Sequence, residues 1–287
     1  MSAGNYRTTR SSSGATISTT CDIIGGHSDG VAALISETML RSRTTSIDGF
    51  YDSVLALIYP QACAICGASV ESRHDAPACA ACWSSSKFST DENALCWKCG
   101  AITDAIVAEH ERISMRCGSC DADNFTAARA CGLYEGVLRA SVLALKREPH
   151  VGWRLLQAMI RAQGSAAIAD ANLIIPVPLH AKRERERGHN QAAVLARELA
   201  RATSLEIDEH VLVRRMHTEK HRAGMDARAR RESVAGAFEV RAPKQISGRR
   251  VLLIDDVFTT GATVSECAAV LKSAGAADVY VLTVARA

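Results

Sequence analysis

The stretch Val251–Thr263 reads Val-Leu-Leu-Ile-Asp-Asp-Val-Phe-Thr-Thr-Gly-Ala-Thr, and it leaves few folds open to the chain that carries it. Four consecutive apolar residues, Val251–Ile254, predict a strand buried on both faces that ends abruptly at two carboxylates. Small and hydroxylated residues follow. Thr263–Ser273 then predicts a helix, because Val264, Cys267, Ala268 and Leu271 keep the i, i+3, i+4, i+7 spacing of a buried face, and Gly275 stands where that helix should stop. Cys267 is accordingly expected in the core. The same alternation runs upstream. Ala128–Tyr134, Leu173–Val177, Val211–Val213 and Val279–Val284 read as strands, while Val137–Lys146, Trp153–Gln163 and Gln191–Ala202 read as helices, the last capped by Asn190. Strands alternating with helices imply an α/β fold with a Rossmann-like parallel sheet of about five strands, covered on both faces.

The loop after Ile254 has a chemistry of its own. Ligands of open α/β sheets bind at the carboxyl ends of strands, which is where this loop lies. Gly261 and Ala262 let a ligand approach the backbone, and Gly261 can take a positive φ. The amides of Thr259–Thr263 would gather at a helix amino terminus, where unpaired N–H groups and the helix dipole favour a phosphate, and the Thr259, Thr260 and Thr263 hydroxyls add donors. Asp255 and Asp256 suit the two hydroxyls of a ribose instead. Phosphate donors joined to paired acids fit a ribose 5-phosphate. Two acids merely ending a strand at the surface are the plainer alternative.

A second segment bears opposite charge. Ile174-Ile175-Pro176-Val177-Pro178-Leu179 runs into His180–Arg187, which holds Lys182, Arg183, Arg185 and Arg187 and reads as a basic loop, followed by Gly188-His189-Asn190-Gln191. Arginine forks suit pyrophosphate, although Glu184 and Glu186 also allow a merely solvated charge run. A further basic stretch, Arg214–Arg231, includes Lys220, Arg222, Arg228, Arg230 and Arg231 and lies between strands, as a mobile hood would. Its rival reading is a nucleic-acid groove, but no aromatic residue interrupts it to stack on bases. A net charge of +3 is too small to argue for nucleic acid alone.

Eight of the eleven cysteines fall in four Cys-x-x-Cys pairs: Cys63/Cys66, Cys79/Cys82, Cys96/Cys99 and Cys117/Cys120. No secretory signal precedes them, so a reducing cytoplasm and metal ligation are expected before disulfides. Taken in order, the pairs make two closed tetrahedral zinc sites, structural because no position remains for water. Spacing leaves an interleaved arrangement open, and redox or iron–sulfur roles compete. Zinc would let a segment of about 60 residues fold around a small core, with Trp83 and Trp97 beside the knuckles. Cys21 and Cys131 stand outside the pattern. No apolar run reaches the roughly 18 residues of a membrane span, the longest candidate being Val54–Tyr59. The expected organisation is a tail over 1–47, a cysteine module over 48–125 and the α/β domain over 126–287. Asp48–Pro60 reads as helix-like. Residues 1–45 are rich in Ser and Thr and read as disordered, faintly like a transit peptide, with Met39 as an alternative start.

The thirteen residues Val251–Thr263 resemble the phosphoribosyl diphosphate signature of type I phosphoribosyltransferases. Together with Pro-Val-Pro-Leu at 176–179, Arg-Gly-His-Asn-Gln at 187–191, Val-Ala-Gly-Ala-Phe at 234–238 and the cysteine pairs, they identify a resemblance to the ComF competence family over about Leu57 to Arg286. That resemblance implies a type I phosphoribosyltransferase domain behind an amino-terminal zinc-ribbon module, linked to natural transformation and DNA uptake or utilisation. It implies magnesium arriving with phosphoribosyl diphosphate, Asp255 and Asp256 on the ribose, Thr259–Thr263 on the 5-phosphate, and Arg183 and Arg187 on the departing pyrophosphate. It also implies contact with single-stranded DNA or with DNA-uptake proteins. Phosphoribosyl transfer is the expected activity; a non-catalytic, nucleotide-sensing adaptor in DNA uptake is the alternative. The chain departs from the family at His189, Ser233, His221 and Lys146-Arg147, all outside the ribose loop.

Overall fold

The computed structural model describes residues 61–287 apart from 71, 73–74, 94–95, 103–108 and 217–226. The expectations for the tail, for Asp48–Pro60, for Cys21 and for Lys220, His221 and Arg222 therefore lie outside the described residues. In chain order the helices are α1 (Ala80–Ser84), α2 (Glu109–Arg112), α3 (Gly136–Leu145), α4 (Trp153–Gln163), α5 (Ala181–Arg187), α6 (Gln191–Thr203), α7 (Ala227–Glu232), α8 (Pro243–Ile246) and α9 (Ala262–Ser273). The strands are β1 (Ala127–Ala130), β2 (Leu173–Pro176), β3 (Glu206–Ile207), β4 (Leu212–Arg214), β5 (Phe238–Val240), β6 (Arg250–Phe258) and β7 (Asp278–Arg286).

Five strands form one sheet in the order β1-β7-β6-β2-β3, every neighbouring pair parallel. The α/β expectation is borne out, with a separate antiparallel pair, β4–β5, added to it. β6 lies between β7 and β2, which explains its unbroken apolar run: Val251, Leu252, Leu253 and Ile254 are all fully buried. Alternate residues enter different cores. Leu252 and Ile254 meet Val142 and Leu145 of α3, Met159 of α4 and Leu195 and Leu199 of α6, whereas Val251 and Leu253 join Val264, Cys267 and Leu271 of α9. Cys267 is a core residue, as its helical spacing requires.

The cysteine-bearing segment contributes to both cores. Cys63, Cys79 and Trp83 belong with Leu252 and Ile254; Cys96, Cys99 and Cys120 belong with Leu253 and Val281. The second knuckle also joins the sheet through its backbone, since the Ala128 amide donates to the Lys98 carbonyl at 2.7 Å. Gly100 makes that approach possible. A Cβ there would stand 2.6 Å from the Ala128 carbonyl oxygen, and its φ of +65° disfavours a side chain independently.

Three expectations need correction. β6 does not stop at the acids but continues to Phe258, because β7 runs alongside it and pairs Thr283 with Asp255 and Ala285 with Val257. β1 ends at Ala130; Leu133 rejoins the sheet only as an isolated bridge to Arg286. His180–Arg187 is not a loop. Residues 181–187 form the helix α5, as their strong helix formers favour, with the His180 ring accepting from the Lys182 amide and Gly188 closing the helix at φ +80°.

Candidate functional site

The eight paired cysteines make two tetrads. A zinc–sulfur bond of about 2.3 Å in tetrahedral geometry requires sulfur atoms about 3.8 Å apart. Cys63 and Cys82 lie 3.8 Å apart and Cys66 and Cys79 3.7 Å. In the second tetrad Cys96–Cys120 and Cys99–Cys117 are each 3.6 Å and Cys117–Cys120 is 3.7 Å. The pairs combine in sequence order, Cys63, Cys66, Cys79 and Cys82 in one tetrad and Cys96, Cys99, Cys117 and Cys120 in the other, and are not interleaved. These distances are far from the ~2.05 Å of a disulfide. In the first tetrad burial works against ionising Cys63, yet backbone N–H groups, first among them that of Cys66, bring its thiol down to about 6. Cys82 is pushed up to about 12, first by its hydrogen bond with Cys66 and then by burial. Four thiols so close cannot all ionise without a cation among them, and the donor set fits zinc. Trp83 is buried and stacks on Phe88, and Trp97 faces the Arg129 guanidinium at 5.0 Å.

At the carboxyl ends of the central strands opens a cleft of about 540 Å³. Asp255, Asp256, Thr259 and Thr263 line one side, Arg183 and Arg187 the other. Thr260, Gly261 and Ala262 belong to the same turn without lining the cleft. The two arginines reach it together because they are four residues apart on α5 and so share a face. Arg187 is steadied by a 2.8 Å bond to Gln191, at the start of α6. Asn190 caps α6 by accepting from the Ala192 amide at 3.0 Å, as expected, and its side-chain amide donates to the Val177 carbonyl.

The acid side is built around Gly261, which precedes α9 with a φ of +75°. A Cβ on it would fall 2.8 Å from the Phe258 ring and 3.3 Å from the Asp123 carboxylate, so only glycine fits. Asp255 accepts from the Asp256 amide at 2.8 Å. Burial first, and then the adjoining Asp256 charge, raise the Asp255 carboxyl to about 8, against the partial relief of that amide, Arg214 and Lys146.

Two further cations line the cleft, one in the Lys146-Arg147 pair and one at the start of the expected hood. Lys146, at the end of α3, stands 3.7 Å from Asp256, and only its position in a pair flagged as a departure hinted at a role. Arg214 ends β4, stacks over Phe238 at 5.2 Å, and has its proton affinity lowered by burial and then by the neighbouring Arg183 charge. Two guanidinium groups close enough to repel each other give this part of the cleft a positive charge. In the expected hood, α7 carries Arg231 to within 3.2 Å of Asp123, another residue that sequence reasoning overlooked.

The chain matches the double zinc ribbon domain over residues 54–121 and the phosphoribosyl transferase domain over residues 186–287. It is 36% identical over 136 residues to competence protein F of Haemophilus influenzae, covering 47% of this chain and 59% of that one. The DNA utilization protein YhgH of Escherichia coli K12 is 33% identical over 132 residues, 46% of this chain and 57% of its own. Competence protein ComFC of Bacillus subtilis is 34% identical over 115 residues, 40% and 44% of the two chains. The chain thus spans rather more than half the length of the first two relatives. Among solved structures, glutamine phosphoribosylpyrophosphate amidotransferase from B. subtilis aligns over 52% of this chain and 26% of its own, at 19% identity and a TM-score of 0.30. Homology to the competence F, ComFC and YhgH proteins bears out the resemblance drawn from the motifs, and the zinc-ribbon and transferase parts are both present.

Proposed function

We propose that this homologue of the competence F and YhgH proteins binds magnesium phosphoribosyl diphosphate in the cleft between β6 and α5, in the service of DNA uptake or utilisation. The observation that carries the reading is the opposition of two chemistries across about 540 Å³: carboxylates and threonines on one wall, arginines on the other. The amides and hydroxyls of Thr259–Thr263 would take the 5-phosphate at the amino terminus of α9, and Asp255 and Asp256 the ribose hydroxyls. Arg183 and Arg187 would hold the diphosphate. Two adjacent carboxylates are too few to cage a resident cation, but they suit magnesium delivered by the substrate with much of its water.

The proposed reaction is phosphoribosyl transfer. The bond from the anomeric carbon to the diphosphate breaks, pyrophosphate leaves with both electrons, and a nucleophile forms the new bond at that carbon. The protein contributes position and charge stabilisation: arginines meet the charge gathering on pyrophosphate while the acids fix the sugar. Asp255, raised to about 8, would accept a hydrogen bond from a ribose hydroxyl more strongly once a cationic partner draws it into ionisation. In this reading residues 126–287 are the transferase part and 48–125 the ribbon. A reducing, cytoplasmic setting suits the free thiols, and among the described residues no helix is long and apolar enough to cross a membrane. Single-stranded DNA or its handling proteins are the proposed partners, for which affinity should fall steeply with salt.

Calorimetric titration of phosphoribosyl diphosphate with magnesium into the zinc-loaded protein tests the reading. Saturable binding is expected, weakened at least about 100-fold in the Asp255→Asn/Asp256→Asn double variant, which removes charge-assisted bonds to two hydroxyls. No binding to the folded wild type would sink it. Binding without pyrophosphate release for any acceptor tried would favour the adaptor.

A further inference from the structure

The second cysteine tetrad does more than close its own knuckles. We propose that it anchors the phosphate loop, with Arg286 and Phe258 as the positioning residues that carry the anchor to Gly261. The inference deepens the reading of the cleft given above and rests on it for its consequence in binding, though not for its mechanics.

Two separate sets of contacts join the tetrad to the loop. The first begins at Cys99, the second ligand. Arg286, near the end of β7, donates from one guanidinium nitrogen to the Cys99 carbonyl at 2.7 Å and from the other to the Cys99 sulfur at 3.6 Å. The same guanidinium lies 4.6 Å from the centre of the Phe258 ring. Phe258 is nearly fully buried, with Phe125 edge-on to it at 5.8 Å, and its rim is the surface that excludes any side chain at Gly261. Thus a thiolate ligand, a forked cation, an aromatic ring and the turn of the loop stand in one line.

The second set leaves from Cys120, the fourth ligand. The Asp123 amide donates to the Cys120 carbonyl at 3.0 Å, and the Asp123 carboxylate lies beside the Phe258 ring on the same face of Gly261, 3.3 Å from where a Cβ would stand. The Asn124 amide donates to the Ser265 hydroxyl at 3.0 Å, in the first turn of α9. The loop is therefore held at Gly261 and again at Ser265 by residues tied to the same four sulfurs. The buried members of the first tetrad pack in the other core.

An arginine suits the relay where a lysine would not. Its planar fork spans a carbonyl and a sulfur while its face stays on the ring; an ammonium can keep the ring contact but cannot make both bonds in that plane.

The experiment uses the full chain with both zinc ions bound, and reads amide hydrogen exchange over residues 259–265 without ligand. Arg286→Ala is expected to speed exchange there about tenfold, with zinc content unchanged and the amides of α6 unaffected, since a cation–π contact and two hydrogen bonds are lost. Arg286→Lys should recover part of the protection. If Arg286→Ala fails to fold, Phe258→Leu removes the ring and should speed exchange over the same residues. Unchanged exchange over 259–265, or an equal rise throughout the sheet, would overturn the proposal. Phosphoribosyl diphosphate affinity, measured on the same proteins, should weaken by about the same factor. Faster loop exchange in a protein whose wild type binds no phosphoribosyl diphosphate would uphold the anchor and reject the ligand.

Discussion

The two walls of the cleft are made in opposite ways. The acid wall is the end of β6, whose residues 251–254 are wholly buried between two strands and two layers of helix. At about 1.5–3 kcal/mol for each such side chain, roughly 6–12 kcal/mol of burial stands behind that wall. The cationic wall is α5, seven residues long with none buried, held by its own caps and by the bond from Arg187 to Gln191. One wall is fixed by the core and the other by local helix chemistry. Substitutions in the first should therefore disturb folding and binding together, and substitutions in the second should disturb binding alone.

The largest effect that would break or uphold this contrast is expected from Gly261→Ala. The added methyl meets the Phe258 ring and imposes a side chain on a left-handed residue, at a combined cost of about 3–4 kcal/mol. Urea unfolding should show that loss, and phosphoribosyl diphosphate binding should disappear with it. A variant as stable as wild type would mean that the wall is more yielding than its packing implies.

A somewhat smaller effect, of opposite sign, is expected at Asp255. Its carboxyl titrates at about 8 in the folded protein, against about 3.9 unfolded. Between those values the folded state holds a proton that the unfolded state lacks, so stability falls as pH rises through the window and levels off above it. Asp255→Asn removes that dependence. The variant should match wild type near pH 4 and exceed it on the order of 2–3 kcal/mol above pH 8, about half of what a four-unit shift carries in full, because the half-buried carboxyl opens onto the cleft and is screened by water. Urea titrations at pH 4, 6 and 9 measure the gain; a gain that does not grow with pH would mean that Asp255 is ionised at little cost.

The contrast also explains what was legible in the sequence. Signals carried by neighbours in the chain were readable: the apolar run of β6, the stripe of α9, the Asn190 cap and the cysteine pairs all repeat or juxtapose within a few residues. What escaped depended on distant strands and helices. β6 runs on through its acids because β7 pairs beside it, which no property of Asp255 or Asp256 announces. Lys146 reaches Asp256 only because α3 ends beside the sheet, and Asp123 reaches Gly261 only because the ribbon folds over α9. The misreading of α5 had another cause. The prolines before it and its own charges suggested a loop, although Ala, Lys, Arg and Glu in succession are good helix formers once His180 and Gly188 cap them.

The smallest expected effect tests that helix directly. Successive residues turn by about 100°, so Arg185 points roughly 200° away from Arg183 and Arg187 does not. Of these three arginines only Arg183 and Arg187 line the cleft, Arg183 half-buried and Arg187 exposed. Arg187→Ala should weaken phosphoribosyl diphosphate binding about fivefold without changing stability, because one solvent-screened cation is lost from a site that keeps Arg183 and Arg214. Arg185→Ala should leave affinity unchanged, although it removes the same charge from the same helix. Equal losses in the two variants would show that α5 acts through its net charge alone, and the comparison of a rigid wall with an ordered cationic one would fail on its second half.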